Sequence, residues 1–286
     1  MLLETLYEPI PDVDAYLERI HMDMPILLNK ETLDRIIYLH QCAIPFENLD
    51  VYFAKKEIQQ GISDVFDKII RNKRGGFCFE MNNLFHAFLK TVGFDVYPCL
   101  CKVIEGPPPY YPALHRGTIA RLDGTLHYCD IGFGGPVPGG AIRIEEGTVQ
   151  TFASDSYRMH LREDGWWELR RLTDTGKDNI MLRIQTLPYD PADFIALCHY
   201  CCCHTQQDFN HFTDELLLNI RTKNGYASIT NDVMKIKENG IVTETRITDR
   251  EQLLYALHRV FLLPDHVAEL IPEFPSIFRD AHCKEG

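Results

Sequence analysis

The sequence predicts an α+β protein in three consecutive parts: helices, then antiparallel strands, then a smaller mixed unit. Three observations carry this prediction. Apolar residues recur at helical spacing through the first ninety residues. The period then shortens to that of strands, with turn residues between short segments. The last third mixes the two patterns. With 45% hydrophobic and 24% charged residues, a chain of 286 has the composition of a folded protein rather than a disordered one.

The elements follow in order. Pro11 opens a helix over 12–22 that carries Val13, Tyr16, Leu17 and Ile20. A second helix is expected over 31–42, with Leu33, Ile36 and Ile37 on one face, and a third over 62–72, with Val65, Phe66, Ile69 and Ile70. The fourth begins after Gly75-Gly76. Its residues Met81, Leu84, Phe85, Phe88, Leu89 and Val92 keep strict helical spacing, and Gly93 supplies the stop. Strands are expected at 96–104, 117–122, 126–131, 141–144, 149–152, 157–161 and 166–171, forming a small antiparallel barrel or sandwich. Pro107-Pro108-Pro109 offer no amide donors and read as a loop. Then come a helix over 191–202, strands at 216–221, 228–235 and 242–247, and a helix over 249–262.

Charge narrows the function classes. Lys and Arg number 29 against 41 Asp and Glu, giving a net charge of −12. A general nucleic-acid binder needs basic surface, so that class is disfavoured, while a local basic pocket for one anionic cofactor is not. No run of 18 apolar residues predicts a membrane span. The N-terminus lacks the basic and apolar regions of a signal peptide. The ten cysteines are therefore expected as free thiols in the reducing cytoplasm.

One of these thiols stands in a special setting. Cys78 follows Gly75-Gly76 and falls in the first turn of the strongest helix. Unpaired amides there favour a thiolate. Cys78 shares a face with Met81 and Phe85, so its thiol points inward, as a nucleophile in a shielded cleft requires. A cysteine nucleophile needs a histidine base and a group to orient it. His86 is eight residues along the same helix, roughly 12 Å away, and is out of reach. His115 and Asp130 flank an Asp123-Gly124 hairpin signal. A two-residue loop there makes them diagonal neighbours on one face, with His127 on the other. Gly132, Gly134 and Gly135 follow directly, and glycines let backbone amides approach an anion. The stretch is neither a P-loop nor a dinucleotide fingerprint.

Four blocks in this order resemble the arylamine N-acetyltransferase family: Ile44-Pro45-Phe46-Glu47-Asn48-Leu49-Asp50, Arg74-Gly75-Gly76-Phe77-Cys78-Phe79-Glu80, His115, and Asp130-Ile131-Gly132-Phe133-Gly134. The resemblance implies a helical bundle (1–94), an antiparallel β-barrel (95–189) and an α/β lid (190–286) around a cysteine-protease-like core. It implies a ping-pong reaction of xenobiotic metabolism. Cys78 takes acetyl from acetyl-CoA, CoA leaves, and an arylamine, hydrazine or arylhydroxylamine attacks the thioester. Cys78, His115 and Asp130 would be the triad. Phe46, Phe133 and Val103 would line the acceptor pocket, and Gly132, Gly134 and Gly135 would lie near the CoA phosphates. Arg74 and Glu47 would have a structural role as a charge pair. No metal, nucleic acid or membrane partner is implied.

The chain departs from the family in two places. Arg116 and Gly117 follow His115 where apolar residues are usual. The run from Cys198 to Thr205 stands where Ser-Thr-His-Pro is frequent; His204 matches and the proline is missing. Cys198, Cys201, Cys202, Cys203 and His204 have zinc-ligand spacing but no second pair at matched spacing, so a cysteine-rich helix end is expected. Three alternatives share part of the pattern. They are a papain- or transglutaminase-type hydrolase, a related amide synthase, and a non-enzymatic metal-holding protein.

Overall fold

A computed structural model of the chain describes residues 3–104, 111–153, 155–173, 178–203 and 212–273. The loop of Pro107-Pro108-Pro109, and His204, lie outside the described residues.

The first part is helical. α1 (Val13–Arg19) starts at Asp12, whose carboxylate accepts the Ala15 N–H. α2 (Lys30–Ala43) is capped in the same way by Asn29, which accepts the Thr32 N–H at 2.9 Å. α3 (Leu49–Tyr52) is a single turn the sequence did not announce. α4 (Ile62–Phe66) runs on into a π-helical turn over Asp67–Arg71. α5 (Cys78–Thr91) ends as expected, with Gly93 at φ 102°. Leu33, Ile36 and Ile37 of α2 and Leu84, Phe85 and Phe88 of α5 share one apolar core, where Tyr16 stacks on Phe88 at 4.0 Å.

The middle of the chain forms an eight-stranded antiparallel sheet curled into a nearly closed barrel. Its strands are β2 (Val96–Val103), β3 (His115–Leu122), β4 (Thr125–Cys129), β5 (Ile142–Arg143), β6 (Gln150–Phe152), β7 (Asp155–Leu161), β8 (Trp167–Leu172) and β9 (Asp178–Ile184). Their order is β5-β4-β3-β2-β9-β8-β7-β6. The Gln150 carboxamide bridges the two outermost strands: it accepts the Arg143 N–H and donates to the Arg143 carbonyl, each at 2.8 Å. β9 was absent from the sequence reading. A bulge opposite Leu169/Arg170 puts Met181 and Leu182, consecutive residues, both inside, which erases the period-two signal.

A second antiparallel sheet has the order β1-β10-β11-β12-β13. Its members are β1 (Phe46–Glu47), β10 (Leu217–Thr222), β11 (Gly225–Thr230), β12 (Val233–Glu238) and β13 (Ile241–Arg246). The strand expected at 228–235 is instead the join of β11 and β12. The chain turns at Asn231, which adopts φ 55°, a conformation asparagine tolerates, and its side chain accepts the Leu216 N–H. α7 (Arg250–Arg259) packs on this sheet in a separate apolar core that also takes Leu49. β1 belongs to the N-terminal part yet pairs with β10, Phe46 facing Asn219 and Glu47 facing Leu218. Asn48 reinforces the joint by donating to the Phe212 and Glu215 carbonyls and accepting the Leu217 N–H. α6 (Phe194–Cys203) follows the barrel in sequence but buries Phe194, Cys198, Cys201 and Cys202 in the core of the helical bundle. Among the described residues no helix is long and apolar enough to cross a membrane.

Replacing Asn29 by alanine removes the only side chain seen to cap α2, and is expected to lower stability by about 1 kcal/mol. A urea unfolding midpoint that does not move would show that the cap is idle.

Candidate active site

Cys78 is the first residue of α5 and is buried. The turn that presents it is fixed by charge. Glu80 accepts the Phe77 N–H at 3.1 Å and holds Lys68 at 2.7 Å. Lys68 also holds Asp50 at 2.7 Å. Arg74 meets Glu47 at 2.8 Å and Asp50 at 3.2 Å. Burial works against the Lys68 charge, but Glu80, Glu47 and Asp50 outweigh it and raise its pKa. The Arg74–Glu47 pair expected from the sequence is thus part of a five-residue network, with Glu47, Arg74 and Glu80 buried and Asp50 and Lys68 half-buried.

The histidine and aspartate come from the β3–β4 hairpin. Asp123 and Gly124 form its two-residue turn with φ 49° and 74°. The register is the expected one, from Leu122 opposite Thr125 to Thr118 opposite Cys129. Beyond that last pair the strands part, and Asn82 of α5 fills the gap. Its Nδ2 donates to the Arg116 carbonyl at 2.6 Å and to Asp130 Oδ1 at 2.9 Å, and its Oδ1 accepts the Ile131 N–H at 3.1 Å.

His115 Nε2 lies 2.7 Å from Asp130 Oδ2, and both residues are buried. The Tyr128 hydroxyl donates to the same oxygen at 2.7 Å, and the Gly132 N–H donates to Oδ1 at 2.9 Å. Burial alone would raise the Asp130 pKa. The His115 ring and the hydrogen bonds from Asn82 and Tyr128 overcome it and hold the carboxyl below its ordinary range. Tyr128 reaches this position by lying across Gly117, where a Cβ would stand 2.4 Å from its ring. Gly132 is equally constrained: a Cβ there would stand 2.9 Å from the Cα of Cys78. The end of the His–Asp hairpin is therefore seated directly on the backbone of the cysteine. Nε2 is committed to Asp130, which leaves Nδ1 as the ring nitrogen for a thiol.

One expectation is corrected. The Cys78 thiol was expected to be acidified by the helix start. The amides of Phe79 and Arg116 do pull its pKa down, but burial, helped by Cys201 and Asp130, pushes it well above the ordinary value. The departure at Arg116 also has a structural counterpart. Its side chain is fully buried 4.8 Å over the Phe194 ring of α6, and none of its three guanidinium nitrogens has a hydrogen-bond partner among the described residues. Burial lowers its pKa to about 9.

A cleft of about 430 Å³, counting the part open to solvent, is lined by Ile131 and Phe133, which follow Asp130 in the chain, but not by Cys78, His115 or Asp130 themselves. Phe133, Gly134 and Gly135 line it from the barrel end, and Phe46, Asn219, Arg221 and Tyr226 line it from the second sheet. Phe133 stands edge-on to the His115 ring, 6.0 Å between centroids. Val103 is not brought to this cleft; it ends β2 opposite Leu182, half-buried against the barrel core. The Gly132 amide is already taken by Asp130, so it differs from Gly134 and Gly135 in having nothing to offer a phosphate.

Asn82, Tyr128, Gln41 and Arg221 were not among the residues singled out from the sequence. Signals existed for the first two: Asn82 is one helical turn beyond Cys78, and Tyr128 shares a strand face with Asp130. Gln41 and Arg221 carry no local signal. Gln41 Nε2 donates to the Asp130 carbonyl at 2.9 Å and to the Pro138 carbonyl at 3.0 Å, and Arg221 Nε donates to Gln41 Oε1 at 2.7 Å. Arg221 also donates to the Val137 carbonyl.

Asn82→Ala removes a partner from the buried Ile131 N–H, from the Arg116 carbonyl and from Asp130, and is expected to lower stability by about 1–3 kcal/mol. Urea unfolding measures this directly, and an unchanged midpoint would mean the carboxamide does not hold the strands.

A family model described as N-acetyltransferase matches residues 29–267. The arylamine N-acetyltransferase of Escherichia coli K12 is 30% identical over 249 residues, 86% of each chain. A proansamycin X synthase of Amycolatopsis mediterranei is 27% identical over 258 residues, 89% of this chain and 98% of its own. In fold, a Mycobacterium marinum arylamine N-acetyltransferase solved in complex with CoA superposes with a TM-score of 0.82 at 23% identity, over 91% of this chain and 95% of that one. The chain belongs to the arylamine N-acetyltransferase family.

Proposed function

We propose that the protein transfers acetyl from acetyl-CoA to an arylamine, hydrazine or arylhydroxylamine through a thioester on Cys78. The observation that carries this reading is the buried 2.7 Å contact between His115 and Asp130, on a hairpin end packed against the Cys78 backbone.

In this reading the high pKa of the thiol sets the first step. A lone thiolate at Cys78 is disfavoured, so the proton passes to His115 Nδ1 and a thiolate–imidazolium pair forms. Asp130, charged at neutral pH, stabilises the imidazolium through Nε2. The thiolate adds to the acetyl carbonyl, the CoA thiolate leaves, and it takes the proton from His115. An amine then attacks the thioester carbonyl and gives a proton to His115, the C–S bond breaks, and the Cys78 sulfur leaves and takes that proton back. Because the Asp130 pKa is depressed, the carboxylate adds stability above its unfolded value near 3.9. That stability is lost only as pH falls below this and through the folded value.

The cleft supports Phe46 and Phe133 as acceptor contacts and Gly134 and Gly135 as CoA contacts, with Arg221 as a nearby cation in an otherwise acidic protein. It lends no such support to Val103 or Gly132. Three apolar cores support the division into units 1–94, 95–189 and 190–286, although the first also takes α6 and the barrel residues Ala120, Leu122 and Cys129, and the second takes Leu49. The nine described cysteines are thiols rather than disulfides, which suits a cytoplasmic setting. The related amide synthase expected from the sequence pattern is the second reading, and a relative named as a synthase favours it.

Intact-protein mass spectrometry after brief mixing with acetyl-CoA, with peptide mapping, is expected to find one acetyl on Cys78 that disappears when arylamine is added. No adduct on Cys78 would turn the assignment towards amide synthesis from another donor. Asp130→Asn is expected to fold and to lose about ten thousand-fold in turnover, the scale seen when a triad's orienting carboxylate is neutralised. Near-normal turnover by that variant would remove Asp130 from the mechanism.

A further inference from the structure

The cysteine-rich helix α6 divides its side chains between two environments. Cys198, Cys201 and Cys202 are buried in the bundle core, whereas Cys203 and His199 face solvent one helical turn apart. A third donor reaches the same spot from far away in sequence. Glu57, in the segment between α3 and α4, places Oε1 2.9 Å from His199 Nδ1 across a separation of 142 residues. Cys203 Sγ lies 3.7 Å from the same nitrogen. All three ligand atoms are within 4.8 Å of one another.

We propose that Glu57, His199 and Cys203 form a surface site for a zinc-class divalent cation. The donor set is one imidazole nitrogen, one thiolate and one carboxylate, each an ordinary zinc ligand at about 2.0–2.3 Å. A tetrahedral ion at those bond lengths holds its ligand atoms roughly 3.3–3.6 Å apart. The two separations from His199 Nδ1, 2.9 and 3.7 Å, bracket that range, and the Glu57–Cys203 pair, within 4.8 Å, closes by side-chain rotation as the ion is seated. His199 and Cys203 stand at i and i+4 on one helix face, which gives two ligands without backbone movement. Exposure leaves the fourth position to water and gives the ion its entry path. The buried pair Cys198 and Cys202, 4.0 Å apart, gains no third ligand among the described residues.

Binding is balanced by proton release. The cation replaces the Cys203 thiol proton, together with any proton held between His199 Nδ1 and Glu57. The bound ion ties α6 to the segment between α3 and α4. The opposite face of α6 carries Cys201, which is near enough to Cys78 to act on its thiol. Of this site the zinc-spaced cluster in the sequence contains only Cys203; the fold adds His199 and Glu57.

The test uses the full chain, stripped with chelator and dialysed against micromolar zinc chloride, with bound zinc counted by atomic absorption. One equivalent is expected in the wild type and in Cys78→Ser, the latter excluding zinc on the inward thiol. His199→Ala and Cys203→Ala are expected to bind at least tenfold more weakly while keeping the wild-type circular dichroism. Cobalt(II) is expected to give a thiolate-to-metal charge-transfer band that Cys203→Ala abolishes. The proposal is overturned if the wild type takes up no zinc, if Cys203→Ala retains its equivalent, or if Cys78→Ser loses it.

Discussion

The site depends on one carboxamide. Beyond Thr118 and Cys129 the β3–β4 ladder stops, and the two strands would diverge with buried polar groups unmet. Asn82 replaces the missing rungs, joining the Arg116 carbonyl on one strand to Asp130 and the Ile131 amide on the other. It stands on the same helix as Cys78, one turn away. Cysteine, histidine and aspartate, drawn from three elements, are thereby held in one frame. Hydrogen bonds to a charged acceptor contribute about 1.5–3 kcal/mol each. Asp130 collects four such donors, so a carboxylate can stay ionised where water is excluded.

The charges around the cysteine are arranged for the loop more than for the thiol. Lys68 and Arg74 are matched by Glu47, Asp50 and Glu80, and this network fixes the turn into α5. It does not acidify Cys78, whose burial dominates. A thiol of this kind becomes nucleophilic only when a base is beside it, which ties its reactivity to the integrity of the hairpin. Arg116 is the unusual member. Its guanidinium rests on an aromatic ring rather than a carboxylate, and its main chain serves the site through its amide and its carbonyl.

What the sequence disclosed was whatever local period controls. α5 was legible because its apolar series is unbroken from Met81 to Val92, and the hairpin because Asp-Gly fixes both turn and register. From these two came Cys78, His115 and Asp130 and the face they share. β9 was hidden by its bulge, and the β11–β12 turn because Asn231 sits inside an otherwise strand-like run. β1 spans two residues, too short for any pattern. Gln41 and Arg221 lie far from the hairpin in sequence and reach Asp130 only through tertiary packing.

The pairing of β1 with β10 also sets an order of assembly. Asn48 joins Glu215 and Leu217 across 167 and 169 residues, while Phe46 and Glu47 wait for Asn219 and Leu218. During synthesis the helices around Cys78 can collapse early, since their contacts are local. One wall of the cleft cannot close until the last third of the chain has emerged. Until then β1 has only Gly76 as a neighbour and presents a bare edge beside the thiol. A chain cut short before Leu217 would keep its nucleophile and lack the wall that shelters it.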